Sequence, residues 1–165
     1  MSPFAPGPDV HYHMIRGGSN KTNITVWESG TIGGEYIKTY GHYHVGDLEE
    51  DYTVLQGEGI IILQSPLVDD GVESFKAIRV KVGDRVHIPR NTGHLAVNIG
   101  KIWFVTSDDS PVNFGDRDPV SMPGHADYEP FRKMRGAAYY VVEKNGEPTL
   151  VRNPLYKKVP EARIE

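Results

Sequence analysis

Cysteine is absent from the 165-residue chain, and its absence excludes several kinds of site at once. Without thiols there is no disulfide framework, no thiolate zinc site and no cysteine nucleophile. Any bound metal ion must therefore be held by nitrogen and oxygen ligands. A chain of this length buries enough apolar surface to fold as one domain without covalent cross-links.

The chain also lacks an excess of positive charge and a long apolar run. Its formal net charge of -4 argues against binding to nucleic acid and favours a small-molecule partner. No apolar run approaches the roughly 20 residues that span a bilayer. The first residues, MSPFAPGPDVHY, have neither the charged start nor the apolar stretch of a secretory signal. We therefore expect a cytoplasmic protein that binds no membrane.

Short stretches of β-branched and aromatic residues are separated by the 18 glycines and 12 prolines of the chain. This pattern predicts an all-β fold without long helices. The predicted strands cover residues 23–28, 34–40, 52–55, 59–64, 75–82, 85–88, 94–98 and 102–106. Strands of this number and length suit a jelly-roll barrel that is built from two Greek keys.

The remaining segments complete a predicted single domain over residues 1–165. We expect an amino-terminal arm at 1–20, a metal-binding barrel at 21–106, a long loop with one helical turn at 107–135, and a hairpin with a tail at 136–165. The hairpin pairs residues 138–143 with 149–152 through Asn145-Gly146, a dipeptide that tolerates the positive φ of a tight turn.

Two separated segments carry candidate metal ligands. His42 and His44 alternate along a predicted strand, so both side chains can point at one ion. Glu50 opens the next strand, and His94 follows the turn at Pro89 on a strand that would lie beside them. Together these four side chains predict one site for a divalent metal.

Three imidazoles and one carboxylate leave two adjacent positions open in an octahedral coordination shell. This ligand set suits Fe²⁺, Mn²⁺, Ni²⁺ or Co²⁺ and also accepts Zn²⁺, and the sequence does not choose among them. A substrate with neighbouring oxygens could chelate at the open positions.

Two features of the same sequence compete with these residues as ligands. His11 and His13 repeat the local pattern, but no carboxylate follows them at a matching interval, so we do not expect them to bind metal. Glu49 lies next to Glu50 within an acidic cluster that would usually be a solvated turn. Counting back from Gly57 selects Glu50 as the ligand.

Both metal segments follow the signature motifs of the cupin superfamily, and the residues around them resemble the cupin-type phosphoglucose isomerases. The similarity is carried by GGEYIKTYGHYH at 33–44, LQGEG at 55–59, VHIP at 86–89, VEKNGE at 142–147 and NPLYK at 153–157. It extends from about residue 23 to residue 157, apart from the loop after residue 106.

The resemblance implies a function and a set of site residues. That family interconverts glucose 6-phosphate and fructose 6-phosphate on a metal-bearing barrel, usually as a homodimer. The implied metal ligands are His42, His44, Glu50 and His94. The implied substrate residues are Thr25, Thr39 and Gly41 at the phosphate, with Tyr12 and Tyr52 close to the sugar. Glu50 and Tyr52 are the implied catalytic residues.

One stretch departs from the family and leaves the substrate open. The family has tyrosines in a loop that closes over the phosphate, whereas residues 110–118 of this chain contain none and carry additional carboxylates. A different sugar phosphate or an unphosphorylated sugar therefore stays an alternative substrate. Arg117, His125, Tyr128 or Arg132 could compensate from the same loop.

The reaction itself also has alternatives. A metal that chelates a carbonyl and the adjacent hydroxyl would stabilise an enediolate, with Glu50 moving a proton between the two carbons. The same geometry permits a metal-assisted hydride shift. Two further functions use the same fold and ligands: a non-catalytic sugar-binding cupin and an iron-dependent oxygenase.

Overall fold

The computed structural model describes residues 5–17, 22–110 and 126–165, and these form many short strands and one short helix. The elements are β1 Tyr12–Ile15, β2 Asn23–Trp27, β3 Thr31–Ile32, β4 Glu35–Tyr36, β5 Tyr43–His44, β6 Glu50–Gln56, β7 Glu58–Gln64, β8 Phe75–Lys81, β9 Arg85–Ile88, β10 Gly93–Asn98, β11 Phe104–Asp108, β12 Ala126–Asp127, α1 Glu129–Lys133, β13 Tyr139–Lys144 and β14 Glu147–Arg152. The all-β prediction is confirmed.

The strands form four antiparallel sheets, and the two that enclose the central core are called the main sheets. One main sheet has the order β1-β2-β11-β6-β9, and the other has the order β10-β7-β8. The other two sheets are β12-β5 and β14-β13-β4-β3. Within the described ranges the hydrogen-bonded sheets stay separate, so the predicted jelly roll is a sandwich of sheets and not one continuously bonded barrel.

The core lies between the two main sheets, and β7 is buried on both of its faces. Ile61 packs with Ala96, Trp27 and Phe104 in the core that the two sheets share. Ile60 faces the opposite way, into a second cluster with residues of the carboxy-terminal hairpin. This two-sided burial explains why β7 is a continuous apolar run instead of an alternating one.

The pairing of β10 with β7 and of β6 with β9 makes two of the candidate ligands point into the space between the sheets. Residues that are paired directly across an antiparallel ladder point to the same face. His94 pairs with Leu63, and Glu50 pairs with Ile88. Because Leu63 and Ile88 both belong to the shared core, His94 and Glu50 also face inward.

The predicted amino-terminal arm at 1–20 needs a correction, because it contains a strand. β1 pairs with β2 over four residues, from Tyr12 beside Trp27 to Ile15 beside Ile24. Without this partner, β2 would present an unpaired sheet edge, which folded proteins usually cover. The polar histidines in this segment interrupt the run of apolar and β-branched residues from which a strand is predicted.

The predicted loop at 107–135 also contains regular structure. Ser107 and Asp108 continue β11, since Asp108 pairs with Asn23 on one side and with Tyr52 on the other. The short strand β12 pairs with β5, and the expected helical turn is α1. The predicted strand at 34–40 is shorter, because β4 ends at Tyr36 and Lys38 makes only an isolated bridge to Val97.

The predicted hairpin is confirmed, with β13 and β14 paired through a turn in which Asn145 and Gly146 have φ of 56° and 83°. In the described part of the chain, no helix has the length and apolar character needed to cross a bilayer. The single-domain organisation over residues 1–165 stays a prediction.

Candidate metal centre and substrate cavity

The histidines at 42, 44 and 94 come together in the structure. One ring nitrogen from each lies within 4.8 Å of those of the other two. The ring centroids are 4.4 Å apart for His42 and His94, 4.8 Å for His44 and His94, and 5.2 Å for His42 and His44. Ligands on one first-row metal ion are about 3–4 Å apart, so only small side-chain movements separate this group from a coordination shell.

Backbone hydrogen bonds hold the two histidine segments side by side. The His42 N–H donates to the His94 carbonyl at 3.2 Å, and the His94 N–H donates to the His42 carbonyl at 3.0 Å. This reciprocal pair is an isolated antiparallel bridge outside the named sheets. It brings two histidines that are far apart in the sequence next to each other at one site.

Glu50 completes the group from the neighbouring sheet. Its Oε2 lies 3.2 Å from Nε2 of His44 and 3.3 Å from Nε2 of His94, and the side chain is only 4% exposed. Burial opposes ionisation of Glu50, but the two nearby imidazoles hold its pKa well below the usual value. Glu50 is therefore a carboxylate at neutral pH, as a metal ligand must be.

The protonation of His94 supports a metal between these side chains. Its Nδ1 lies 3.3 Å from the Thr92 carbonyl, which can only accept a hydrogen bond, so Nδ1 carries the proton. The lone pair of Nε2 then points towards Oε2 of Glu50, and neither of these buried atoms has a hydrogen-bond partner. A proton or a metal ion must lie between two such electron donors. Because Nε2 of His44 lies 3.2 Å from the same oxygen and three imidazoles form one group, the residues fit one divalent metal ion.

The residues that were predicted to bind substrate line the cavity beside this group. They are Tyr12, Thr25, Thr39, Gly41 and Tyr52, and His42, Glu50 and His94 line the same cavity. Thr25 is buried, with 4% of its surface exposed. The Oγ1 of Thr39 accepts a 3.1 Å hydrogen bond from the Ala96 N–H, which fixes this side chain against β10.

Gly41 allows Thr39 and His42 to face the same cavity, which a regular strand would prevent. Its φ is +91°, in the region that favours glycine, so the chain turns there. A Cβ at this position would also lie 2.8 Å from Cε1 of Phe131. Both the backbone conformation and the close packing therefore require glycine.

Replacing Gly41 with alanine is expected to destabilise the protein by more than the matched change at Gly46. Gly46 has a similar φ of +77°, but an added Cβ there meets nothing within 4 Å. Gly46→Ala should cost about 1 kcal/mol from backbone strain alone, and Gly41→Ala a further 1–3 kcal/mol from the clash with Phe131. Chemical denaturation measures both, and equal losses would contradict the steric requirement at Gly41.

Asp108 is a second buried carboxylate in the cavity that sequence reasoning missed. It is 4% exposed, and its Oδ1 accepts hydrogen bonds from Nδ2 of Asn23 at 2.6 Å and from the Ser110 N–H at 3.2 Å. Burial and the neighbouring carboxylate of Glu50 raise the pKa of Asp108 to about 7. Its signal in the sequence was the alternation of Phe104, Thr106 and Asp108, all of which are buried.

Tyr52 presents a protonated phenol to the site. Burial, followed by the charges of Glu50 and Asp108, raises the pKa of Tyr52 well above its usual value. Its ring centroid lies 5.9 Å from that of His94, in an edge-on arrangement. The hydroxyl is therefore available at neutral pH as a hydrogen-bond donor.

The residues that could compensate for the altered loop have different positions. Tyr128 lines the cavity, and its ring centroid is 5.4 Å from that of His42. Arg132 lies on α1, exposed and paired with Glu129 at 2.7 Å, and is not part of the cavity wall. Arg117 and His125 lie outside the described residues, as does residue range 111–118 of the altered loop.

Comparison with known proteins identifies the family. The sequence matches the family profile described as Glucose-6-phosphate isomerase (GPI) over residues 9–158. Among similar proteins are the glucose-6-phosphate isomerases of Pyrococcus furiosus, 36% identical over 81% of this chain and 63% of the relative, and of Thermococcus onnurineus, 33% identical over 81% and 62%. This chain thus spans less than two thirds of the length of the curated relatives that it matches.

A solved structure of oxalate oxidase in complex with the substrate analogue glycolate is also similar, with a TM-score of 0.42 and 22% identity over 54% of this chain and 41% of that chain. The match to the family profile covers nearly the whole sequence and includes every residue of the metal group. The chain belongs to the glucose-6-phosphate isomerase (GPI) family.

Proposed function

We propose that this chain is a metal-dependent aldose–ketose isomerase that interconverts glucose 6-phosphate and fructose 6-phosphate. The observation that carries the proposal is the convergence of three imidazoles and one ionised carboxylate in one group, of which His42, Glu50 and His94 line a single cavity. Membership of the glucose-6-phosphate isomerase family supports glucose 6-phosphate and fructose 6-phosphate as the substrates. Neither the fold nor the histidine group alone would select this reaction.

The proposed metal ligands are His42, His44, Glu50 and His94. A divalent ion held there, Fe²⁺, Mn²⁺, Ni²⁺, Co²⁺ or Zn²⁺, would polarise the substrate carbonyl and stabilise negative charge on the two neighbouring oxygens. The buried carboxylate of Glu50 accepts the proton from one carbon of the substrate and returns it to the next. The protonated hydroxyl of Tyr52 donates a hydrogen bond that orients the sugar.

The phosphate end of the substrate is proposed to lie against the part of the cavity wall formed by Thr25, Thr39 and Gly41. The hydroxyl of Thr25 and the N–H of Gly41 can donate hydrogen bonds to phosphate oxygens, and the hydroxyl of Thr39 can do so in exchange for its long 3.5 Å hydrogen bond to the Ala96 carbonyl. Tyr12, at the start of β1, lines the same cavity and is proposed to contact the sugar.

Turnover of fructose 6-phosphate tests the proposal directly. Protein that has been stripped of metal and reloaded with each of the five ions in turn is incubated with fructose 6-phosphate in D₂O and followed by proton NMR. We expect glucose 6-phosphate to appear with at least one ion and not with the stripped protein. Deuterium at carbon 2 of the product indicates proton transfer, whereas retained protium is expected both for a hydride shift and for a proton transfer that is shielded from solvent.

Other outcomes of the same experiment identify the competing functions. Binding of fructose 6-phosphate without turnover, with any of the ions, would support a sugar-binding protein. Consumption of dissolved oxygen by the Fe²⁺-loaded protein would support an oxygenase. The homodimer and the cytoplasmic location stay predictions, and sedimentation equilibrium measures the first of them.

A further inference from the structure

Arg16 is a cation in the cavity wall that the proposed reaction does not use. It follows β1, and its side chain lines the cavity together with those of Tyr12 and Met14. The side chain is mostly buried, with 17% of its surface exposed. Among the described residues that line the cavity, Arg16 is the one lysine or arginine.

The guanidinium of Arg16 has few hydrogen-bond partners for a buried charge. Its Nε is buried and has no partner within the described residues. Its Nη2 lies 3.5 Å from the sulfur of Met14, a weak acceptor, and its Nη1 lies 3.9 Å from Oδ1 of Asp108, beyond hydrogen-bond distance. Of the five N–H donors of the guanidinium, the one on Nε is both buried and unpaired, and a buried donor without an acceptor is costly, so this side chain favours an acceptor that enters the cavity.

Asp108 is an ion-pair partner of Arg16, with Oδ1 3.9 Å from Nη1, but at that distance it accepts no hydrogen bond from the guanidinium. Its Oδ1, the atom nearest to Arg16, already accepts hydrogen bonds from the Asn23 amide and from the Ser110 N–H. Asn23 also anchors the chain next to Arg16, because its Oδ1 accepts a 3.1 Å hydrogen bond from the Gly17 N–H. The backbone beside Arg16 is therefore fixed, while the charged end of its side chain is left without a strong partner.

We propose that Arg16 binds the phosphate of the substrate, so that this chain selects a phosphorylated sugar over a neutral one. The planar guanidinium can donate two parallel hydrogen bonds to phosphate oxygens, which neutral hydroxyls cannot replace with equal strength. The identification of the ligand as a sugar phosphate rests on the proposed isomerase function. The need of Arg16 for an anionic acceptor rests on the contacts of its own side chain.

Calorimetric titration with inorganic phosphate and with fructose 6-phosphate tests the role of Arg16 without depending on turnover. The titrations use metal-stripped and metal-loaded protein, as wild type, Arg16→Gln and Arg16→Lys. Arg79→Gln is the matched control, because Arg79 is exposed on β8 and paired with Glu58. We expect Arg16→Gln to weaken binding of both ligands by about 10-fold to 100-fold in both metal states, Arg16→Lys to weaken it less, and Arg79→Gln to leave it unchanged.

Several results would overturn the assignment. The first is an absence of phosphate binding to the wild type, and the second is equal binding to the wild type and to Arg16→Gln. The third is binding that requires the metal and is unchanged by Arg16→Gln, which would mean that the ion holds the phosphate. If Arg16→Gln does not melt cooperatively as the wild type does, Arg16→Lys is used as the test variant instead. Unchanged phosphate binding by Arg16→Lys would contradict the two parallel hydrogen bonds.

Kinetics separate this proposal from the isomerase proposal. With fructose 6-phosphate, Arg16→Gln should raise KM about 10-fold to 100-fold and leave kcat unchanged, while KM for fructose should not change. An equal rise in KM for both sugars would contradict a phosphate contact. If the wild type turns over neither sugar, the isomerase proposal fails, and the phosphate titrations still decide the role of Arg16.

Discussion

Replacing His94 with alanine is expected to strip the metal from the protein. His94 contributes the ring nitrogen whose lone pair points at Glu50, and its other nitrogen is fixed by the Thr92 carbonyl. Loss of a partner that merely orients a ligand weakens metal binding by about 10-fold to 100-fold, so loss of the ligand itself should cost at least about 100-fold. Elemental analysis after dialysis against metal-free buffer measures the loss.

His13→Ala is the matched control for this experiment. His13 belongs to the second His-x-His sequence of the chain and lies exposed on β1. Its replacement should leave the metal content at the wild-type value. If His94→Ala retains its metal while keeping a cooperative unfolding transition, or if both variants lose metal equally, the ligand assignment is wrong.

Replacing Glu50 with glutamine is expected to lower turnover of fructose 6-phosphate by about 100-fold to 10,000-fold per bound metal ion. Glutamine keeps the size of the side chain but cannot accept a proton from carbon at neutral pH. Because Glu50 is also a proposed ligand, the rate must be divided by the metal content at saturating metal. A coupled assay for glucose 6-phosphate gives the rate.

Glu49→Gln is the control for Glu50→Gln, because the two carboxylates are adjacent in the sequence and differ in environment. Glu49 is 44% exposed and accepts a 3.0 Å hydrogen bond from Nε of Arg90, outside the cavity. Its replacement should change turnover by less than about 2-fold, as expected for an exposed ion pair that is worth less than 1 kcal/mol. Equal losses in the two variants would mean that the wrong carboxylate was chosen.

The sequence predicted the strands that carry strong local signals. β7 is a continuous apolar run, and the Asn145-Gly146 turn fixes the carboxy-terminal hairpin, so both were predicted nearly to the residue. β1 was missed because its histidines carry no strand pattern, and its presence follows from the need of β2 for a partner. Pairing between distant segments decides such strands, and a single sequence shows it poorly.

The convergence of the histidines was predictable because their spacing is itself the signal. Arg16 and Asp108 were not found, since each is one charged residue in a segment that was assigned to an arm or a loop. Asp108 can be recognised as a cavity residue only when β11 is extended by two residues to position 108. Arg16 can be recognised as one only when β1 places it beside Asn23. Their role depends on tertiary contacts, which have no local pattern.

Anomalous X-ray diffraction at the Mn²⁺ absorption edge, from crystals of the reloaded protein, tests the central claim most directly. We expect one strong peak between the two main sheets, about 2.0–2.3 Å from a nitrogen of each of His42, His44 and His94 and from an oxygen of Glu50. A peak at the exposed His11 and His13, or no peak in protein that retains its metal, would contradict the proposed metal centre.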